Sequence, residues 1–271
     1  MVNKKSILYI LLAACILAVG IFAFFLIREI LIDSQGRSFF TDLTAEIEFR
    51  PRSPGHGGHG GGTETGTSET GDIDDTTPQT DLGNDWVPYV DFDALSIELP
   101  GITGWIVLDD SPINFPIMQD SDNEFFIKHL PDGTPHRNGS IFLDYRNKND
   151  FSDKSILIYG HMTKDHDMFG ILREYRNQRF YDANPVLYLY TPDRDYTIVL
   201  FAATLAHSQR DHPPLQFEGN QFLQYVEQLK RDSFFRSNVD ISADDRIVSL
   251  CTCAYDFNEA RLILTGVLVG W

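Results

Sequence analysis

The sequence is poor in cysteine and in positive charge, and each shortage excludes a class of protein. Three cysteines in 271 residues are too few for a scaffold stapled by disulfides. Lysine and arginine total 22 against 39 aspartates and glutamates, so the formal net charge is −17. Nucleic-acid binding requires a basic face, and this balance therefore argues against a nucleic-acid partner. The chain also has no internal repeat.

Near its beginning the chain contains a long stretch without charge. No residue from Ser6 to Ile27 is charged. At ~1.5 Å per residue the stretch reaches roughly 33 Å, enough for a hydrocarbon core of about 30 Å. Lys4 and Lys5 precede it, so the positive-inside rule places the N-terminus in the cytoplasm and the rest outside. The sequence predicts a cytoplasmic segment (residues 1–5) and a transmembrane anchor (residues 6–27) in the cell membrane.

Two other interpretations of this stretch remain open. One is a cleaved secretory signal, but the apolar run exceeds the usual ~7–15 residues of such signals and lacks a clear cleavage site. The other is a lipoprotein, because Leu12-Ala13-Ala14-Cys15 resembles a lipidation box. The chain stays apolar after Cys15, which favours the uncleaved anchor. All three interpretations leave most of the chain outside the cytoplasm.

The next two segments differ sharply in composition. Residues 28–50 mix charged and apolar side chains, and they predict a juxtamembrane helix interrupted at Gly36. Residues 51–85 are rich in Gly, Thr and acidic residues, which predicts a disordered linker because almost no large apolar side chain is available for burial. His56 and His59 are metal-ligand types, but in a glycine tract we interpret them as part of a spacer.

Residues 86–271 predict one mainly-β domain. Short runs rich in β-branched and aromatic residues alternate with turn sequences, and helical patterns are few. One helical pattern is a capping box that begins at Ser121, and another is an amphipathic helix over Asn220–Arg231. The pattern favours a closed barrel or a sandwich. The eight candidate strands are Gly104–Leu108, Ile113–Gln119, Ser140–Asp144, Ser155–Gly160, Val186–Thr191, Tyr196–Ala206, Asp245–Cys253 and Arg261–Gly270.

Three side chains at strand ends suggest acyl-transfer chemistry. Cys253 closes the seventh candidate strand, Arg261 opens the eighth, and His161 follows the fourth. If the last two strands are an antiparallel pair, Cys253 and Arg261 become neighbours. We expect Cys253 to be the nucleophile, His161 the general acid and base, and Arg261 the group that stabilises the oxyanion.

At these positions the sequence resembles the sortase family. Ser-Leu-Cys-Thr-Cys over residues 249–253, with Arg261 after it, resembles the sortase signature Thr-Leu-x-Thr-Cys…Arg. Tyr159-Gly160-His161-Met162 followed by Met168-Phe169-Gly170 is similar to the histidine segment of class B sortases. The segments at residues 104–106 and 139–146 are also similar to stretches of that class. The resemblance covers essentially all of residues 86–271.

The resemblance implies an eight-stranded sortase barrel and a cysteine transpeptidase. Such an enzyme cleaves a C-terminal sorting signal of a secreted surface protein after Thr. It then passes the acyl group to an amine of a peptidoglycan precursor or a pilin. No cofactor and no metal are implied. Thr252 and Tyr255, beside the cysteine, are expected to contact the substrate.

The sequence departs from the family pattern at two positions, where Ser249 replaces Thr and Cys251 occupies the variable site. Alternation places Cys251 on the same side of the strand as Cys253, and we interpret it as a small buried side chain. These two cysteines and His161 are also zinc-ligand types, but a fourth ligand is not evident. An extracellular cysteine protease that only hydrolyses, and a non-catalytic surface module, remain the alternative functions.

Overall fold

The computed structural model describes residues 4–45, 47–51, 86–162, 168–207, 211–254 and 256–270. The chain begins with helix α1 (Lys4–Ala45), strands β1 (Glu48–Pro51) and β2 (Trp86–Tyr89), and the short helix α2 (Phe92–Glu98). The linker predicted over residues 51–85 lies, apart from Pro51, outside the described residues.

Eight strands follow, interspersed with short helices. The strands are β3 (Ile102–Val107), β4 (Asn114–Met118), β5 (Ile141–Leu143), β6 (Ser155–Tyr159), β7 (Val186–Tyr190), β8 (Asp195–His207), β9 (Ile247–Cys253) and β10 (Ala260–Gly270). A 3-10 helix (Phe169–Arg176), α3 (Gln178–Ala183) and α4 (Gln221–Asp232) complete the described elements.

The eight strands close into a barrel in the order β10-β8-β7-β3-β4-β5-β6-β9. The neighbours β4–β5 and β6–β9 run parallel, and the other described pairs in the barrel run antiparallel. All eight strands correspond to the candidate strands of the sequence. The predicted closed barrel with few helices is therefore confirmed.

The interior of the barrel is filled by alternating residues of each strand. In β9, Val248 and Leu250 belong to the main core cluster, so the residues between them face outward. Cys251 accordingly packs outside the barrel interior, in a small cluster with Ala206 and Ile263. By the same alternation, Cys253 lies on the outer face of β9 with Cys251.

The capping-box helix predicted from Ser121 is wrong, because the chain forms turns there. Asp122, and not Ser121, supplies the local cap, since its Oδ1 accepts from the amides of Glu124 and Phe125 at 2.8 and 3.2 Å. An Asx turn therefore replaces the first helical turn.

The interruption predicted at Gly36 is also wrong, because α1 is continuous through this residue. By length and composition, the part of α1 from Leu12 to Ala45 is able to cross a membrane, with a mean hydropathy of 2.5 in its apolar window. The C-terminal part of α1, which includes Phe40 and Leu43, packs against the barrel. β1 and β2 pair antiparallel, with Pro51 opposite Trp86.

Candidate active site

Cys253 and Arg261 are brought together by the pairing of the last two strands. Cys253 is the final residue of β9, and its partner across the antiparallel ladder is Arg261. The antiparallel pairing that the sequence suggested is confirmed. Since directly opposed side chains on one face of a sheet lie next to each other, the side chains of Cys253 and Arg261 leave the sheet as neighbours.

His161 approaches the same place from the other side of β9. In the parallel pair β6–β9, Tyr159 lies opposite Cys251, and the Gly160 amide donates to the Cys251 carbonyl at 3.1 Å. His161 follows two residues after the end of β6, and Cys253 lies two residues beyond Cys251 on β9. The strand order of the barrel therefore places His161 and Arg261 on opposite flanks of the cysteine.

The imidazole of His161 is held by a backbone carbonyl. Its Nε2 lies 2.9 Å from the carbonyl oxygen of Ile127. A carbonyl can only accept, so Nε2 carries the proton, and in the neutral ring Nδ1 keeps the lone pair. Nδ1 is thus the ring atom that is free to take up a proton in the neutral ring.

The Arg261 guanidinium forms polar contacts with the two residues that precede it in the chain. Its Nη1 donates to the Ala260 carbonyl at 3.0 Å, and its Nη2 lies 4.0 Å from a carboxylate oxygen of Glu259. The Ala260 carbonyl also accepts the Ala254 amide at 2.9 Å. Because 31% of the Arg261 side chain stays exposed, the guanidinium retains room to turn towards a substrate.

Cys251 differs from Cys253 in its surroundings. It is buried between Ala206, Ile263 and Tyr159, whereas Cys253 is partly exposed. Burial raises the pKa of the Cys251 thiol to about 12, although Arg261 lowers it in part. Cys251 therefore stays protonated near neutral pH and is a poor nucleophile.

The two residues expected to contact the substrate are placed differently. Thr252 alternates to the interior face of β9 and is only 2% exposed, so its side chain does not lie with those of Cys253 and Arg261. Among the described residues, its hydroxyl has no hydrogen-bond partner. Tyr255 lies outside the described residues.

A polar network beside the site was missed from the sequence. The buried carboxylate of Asp144 accepts from Arg146 Nε at 2.8 Å and from the Tyr159 hydroxyl at 2.9 Å. The same hydroxyl lies 2.8 Å from Nε2 of His212, in the chain that follows β8. The sequence pattern that could have indicated this network is Asp144-Tyr145-Arg146, which lies within the segment that resembles class B sortases.

The electrostatics of this network fix the carboxylate as an anion. Burial alone would raise the pKa of Asp144, but the hydrogen bonds from Arg146 and Tyr159 outweigh it and hold the pKa at about 2. Burial and the Asp144 charge raise the pKa of Tyr159 far above its usual value. Tyr159, next to Cys251, is therefore a fixed neutral donor.

Comparisons with known proteins find relatives among the sortases. No protein-family model matches the chain. The chain is 36% identical over 171 residues to Sortase B of Listeria monocytogenes, across 62% of this chain and 70% of the relative. A Staphylococcus aureus sortase B-substrate complex aligns with a TM-score of 0.62 at 27% identity, over 66% of this chain and 84% of that chain. A sortase B complexed with triglycine aligns with a TM-score of 0.62 at 28% identity, over 66% and 85% respectively.

Proposed function

Because this chain belongs to the sortase B family and is a cysteine transpeptidase, we propose that it attaches secreted surface proteins to an amine at the outer face of the cell membrane. Cys253, His161 and Arg261 carry out the reaction. The observation that supports this assignment is the strand register, in which Arg261 pairs with Cys253 and the end of β6, two residues before His161, pairs with Cys251.

The first half-reaction forms a thioester. Nδ1 of His161 takes the proton of the Cys253 thiol, and the resulting thiolate attacks the carbonyl carbon of the Thr in a C-terminal sorting signal, so that negative charge develops on the carbonyl oxygen. Arg261 leaves the Ala260 carbonyl and donates to this oxyanion. The peptide bond then breaks, and the departing amine takes the proton from Nδ1 of His161.

The second half-reaction transfers the acyl group. An acceptor amine loses a proton to Nδ1 of His161 and attacks the thioester, which releases Cys253. The solved sortase B complexes with a substrate and with triglycine support a peptide donor and an amine acceptor for this chain. The acceptor here is an amine of a peptidoglycan precursor or a pilin.

The proposed location follows from α1. Its apolar part is exposed and long enough to span a bilayer. With Lys4 and Lys5 ahead of it, the N-terminus lies in the cytoplasm and the barrel outside. The enzyme therefore works beside the membrane from which its secreted substrates emerge.

Product analysis tests the function. The full chain in detergent is offered a library of sorting-signal peptides with oligoglycine, diaminopimelate-type or lysine amines, and the products are read by mass spectrometry. We expect an amide between the Thr carboxyl and one amine. Release of the free Thr acid alone, at every amine concentration, would assign the chain to hydrolysis.

The matched variants are Cys253→Ala and Cys251→Ser. We expect Cys253→Ala to abolish transfer, since no thiolate remains. Cys251→Ser should keep most activity, because the Cys251 thiol is buried and protonated. Loss of transfer in Cys251→Ser with retention in Cys253→Ala would reassign the nucleophile.

A further inference from the structure

The half of α1 that follows its apolar stretch is packed against the barrel. Phe40 contacts the ring of Phe115 edge to face at 4.9 Å between centroids, and Leu43 is buried in the cluster that contains Trp105. Residues from Leu12 to Leu31 are, by contrast, largely exposed. The anchor helix and the barrel therefore share an apolar interface.

A polar clasp closes this interface. Nε2 of the buried His136 donates to the Ile32 carbonyl of α1 at 2.9 Å, while its Nδ1 accepts from the Asn138 amide at 3.2 Å. Arg137 forms ion pairs with Glu29 and Asp33. The His136 ring is thus fixed by its own loop at Nδ1 and donates to α1 through Nε2.

Gly36 makes the close approach possible. A Cβ at this position would lie 2.6 Å from Cε1 and 2.7 Å from Nε2 of His136. Any larger side chain at position 36 would push the imidazole away from α1. Gly20, in the apolar half of the same helix, has no atom within 4 Å of such a Cβ.

The loop that carries the clasp also carries the carbonyl that orients His161. The His136 amide donates to the Lys128 carbonyl at 2.8 Å, next to Ile127. The Ser140 amide donates to the Phe126 carbonyl at 2.8 Å. The Ile127 carbonyl, which accepts from Nε2 of His161, is therefore braced on both sides by the segment that grips α1.

A second path joins α1 to His161. Met168 lines a cavity of about 220 Å³ together with Gly36, Arg37 and Phe40 of α1. Met168 forms a β-bridge with Met162, the residue after His161. The Phe169 amide donates to the His161 carbonyl at 3.2 Å, so the backbone of His161 is also tied to the α1 interface.

We propose that the docked half of α1 is a working part of the active site, and that His136 is a positioning residue that acts on His161 through the Ile127 carbonyl. This inference rests on the proposed role of His161 as the acid and base. An intact α1 interface then fixes the orientation of the His161 ring, and with it the position of Nδ1 relative to the Cys253 thiol. The anchor helix is accordingly more than a membrane tether.

The test compares Gly36→Leu with Gly20→Leu in the full chain, reconstituted in detergent micelles. Both changes replace glycine by leucine within α1, but only the first meets His136. We expect Gly36→Leu to lower kcat by roughly tenfold or more with little change in KM, since misplacement by ~1 Å can cost ~100-fold. Gly20→Leu should match the wild type.

His136→Ala and His136→Gln provide a second pair, in case the leucine disrupts folding. We expect His136→Ala to lower kcat, and His136→Gln to restore part of it because its amide N–H can donate to the Ile32 carbonyl. The rate of Cys253 alkylation by iodoacetamide is measured against pH for each variant. A merely structural role leaves this pH profile unchanged, whereas misplacement of His161 moves it towards the profile of His161→Ala.

The outcomes separate this inference from the proposed function. If His161→Ala keeps wild-type transfer, the role of His161 itself is overturned. If His161→Ala is inactive while Gly36→Leu and His136→Ala keep the wild-type kcat and alkylation profile, only the positioning role is overturned. A lower melting temperature with an unchanged kcat and profile would also overturn it, because it reports a structural contact alone.

Discussion

Arg261 has a hydrogen-bond partner in place before any substrate arrives. Its guanidinium donates to the Ala260 carbonyl and lies near the Glu259 carboxylate, while about a third of its side chain remains exposed beside Cys253. In the proposed mechanism, Arg261 exchanges the Ala260 carbonyl for the oxyanion of the substrate. The directional fork of arginine suits that exchange better than a point charge.

The first prediction therefore concerns Arg261→Lys. The change keeps the positive charge but removes the planar fork, so we expect kcat to fall by roughly 10- to 100-fold with a smaller effect on KM. Steady-state kinetics with one peptide and one amine measure it. Unchanged turnover would mean that Arg261 supplies charge alone.

Asp144 and Asp195 should change the stability of the folded state with pH in opposite directions. The pKa of Asp144 is lowered from 3.8 to about 2, so its anion stabilises the folded state above pH 4 by about 2 kcal/mol. This stabilisation is lost as the pH falls from about 4 to 2. In Asp144→Asn, urea unfolding should show lower stability at pH 7 and a flatter dependence below pH 4.

Asp195 provides the contrasting case. Burial raises its pKa from 3.8 to about 6, so the folded state favours the protonated form and loses stability as the pH rises from about 4 to 6. Asp195→Asn should therefore be more stable than the wild type at pH 7, by on the order of 1 kcal/mol since the site is partly exposed. A fall in stability at pH 7 would contradict this.

At the scale of elements, the turn that supports Ile127 depends on a glycine. Gly139 has φ of 53°, and a Cβ there would lie 2.4 Å from the Phe126 carbonyl oxygen and 2.5 Å from that of Ile127. The backbone of residues 126–127 can occupy its place only because this side chain is absent. The orientation of His161 thus depends on close packing between two loop segments.

We predict that Gly139→Ala loses about 2–3 kcal/mol of stability and part of kcat, because the Cβ displaces the carbonyl that holds His161. Gly219→Ala is the matched control, since Gly219 has φ of 51° but no atom within 4 Å of a Cβ. It should lose only the ~1 kcal/mol cost of a left-handed backbone. Equal losses in the two variants would show that close packing at Gly139 is unimportant.

The elements also show what the sequence could and could not predict. The strands were predictable because alternating apolar residues fill the barrel, and the Cys253–Arg261 pairing followed from two adjacent strands. His161 was singled out by its position after the fourth candidate strand, but the parallel β6–β9 pair that brings this strand beside β9 was not predictable from local patterns. The docking of α1 was missed, because the clasp through His136 joins residues 104 positions apart and no local pattern encodes it.

At the scale of the whole molecule, the apolar part of α1, which we propose to be a membrane anchor, continues without a break into the part of α1 that packs against the barrel. We predict that protease added to intact cells leaves a membrane-bound stub that contains the apolar part of α1, while Arg137 and its neighbours are protected by the interface until the barrel unfolds. Immunoblots against tags at each end measure this. A mature chain that starts at a lipidated Cys15 would contradict the anchor.

Because β1 pairs with β2, the segment between them is a loop closed by two paired strands and not a linear linker. Pro51 and Trp86 are ladder partners, so residues 52–85 connect the ends of two paired strands. The length of this segment therefore does not determine the distance between α1 and the barrel. The number of residues in such a loop should also affect stability little, since each doubling of the loop length costs only ~0.6 kcal/mol of closure free energy. Insertions and deletions there are therefore expected to be nearly neutral for catalysis, and in the proposed membrane-spanning arrangement the distance from the bilayer to Cys253 is set by the helical rise of α1.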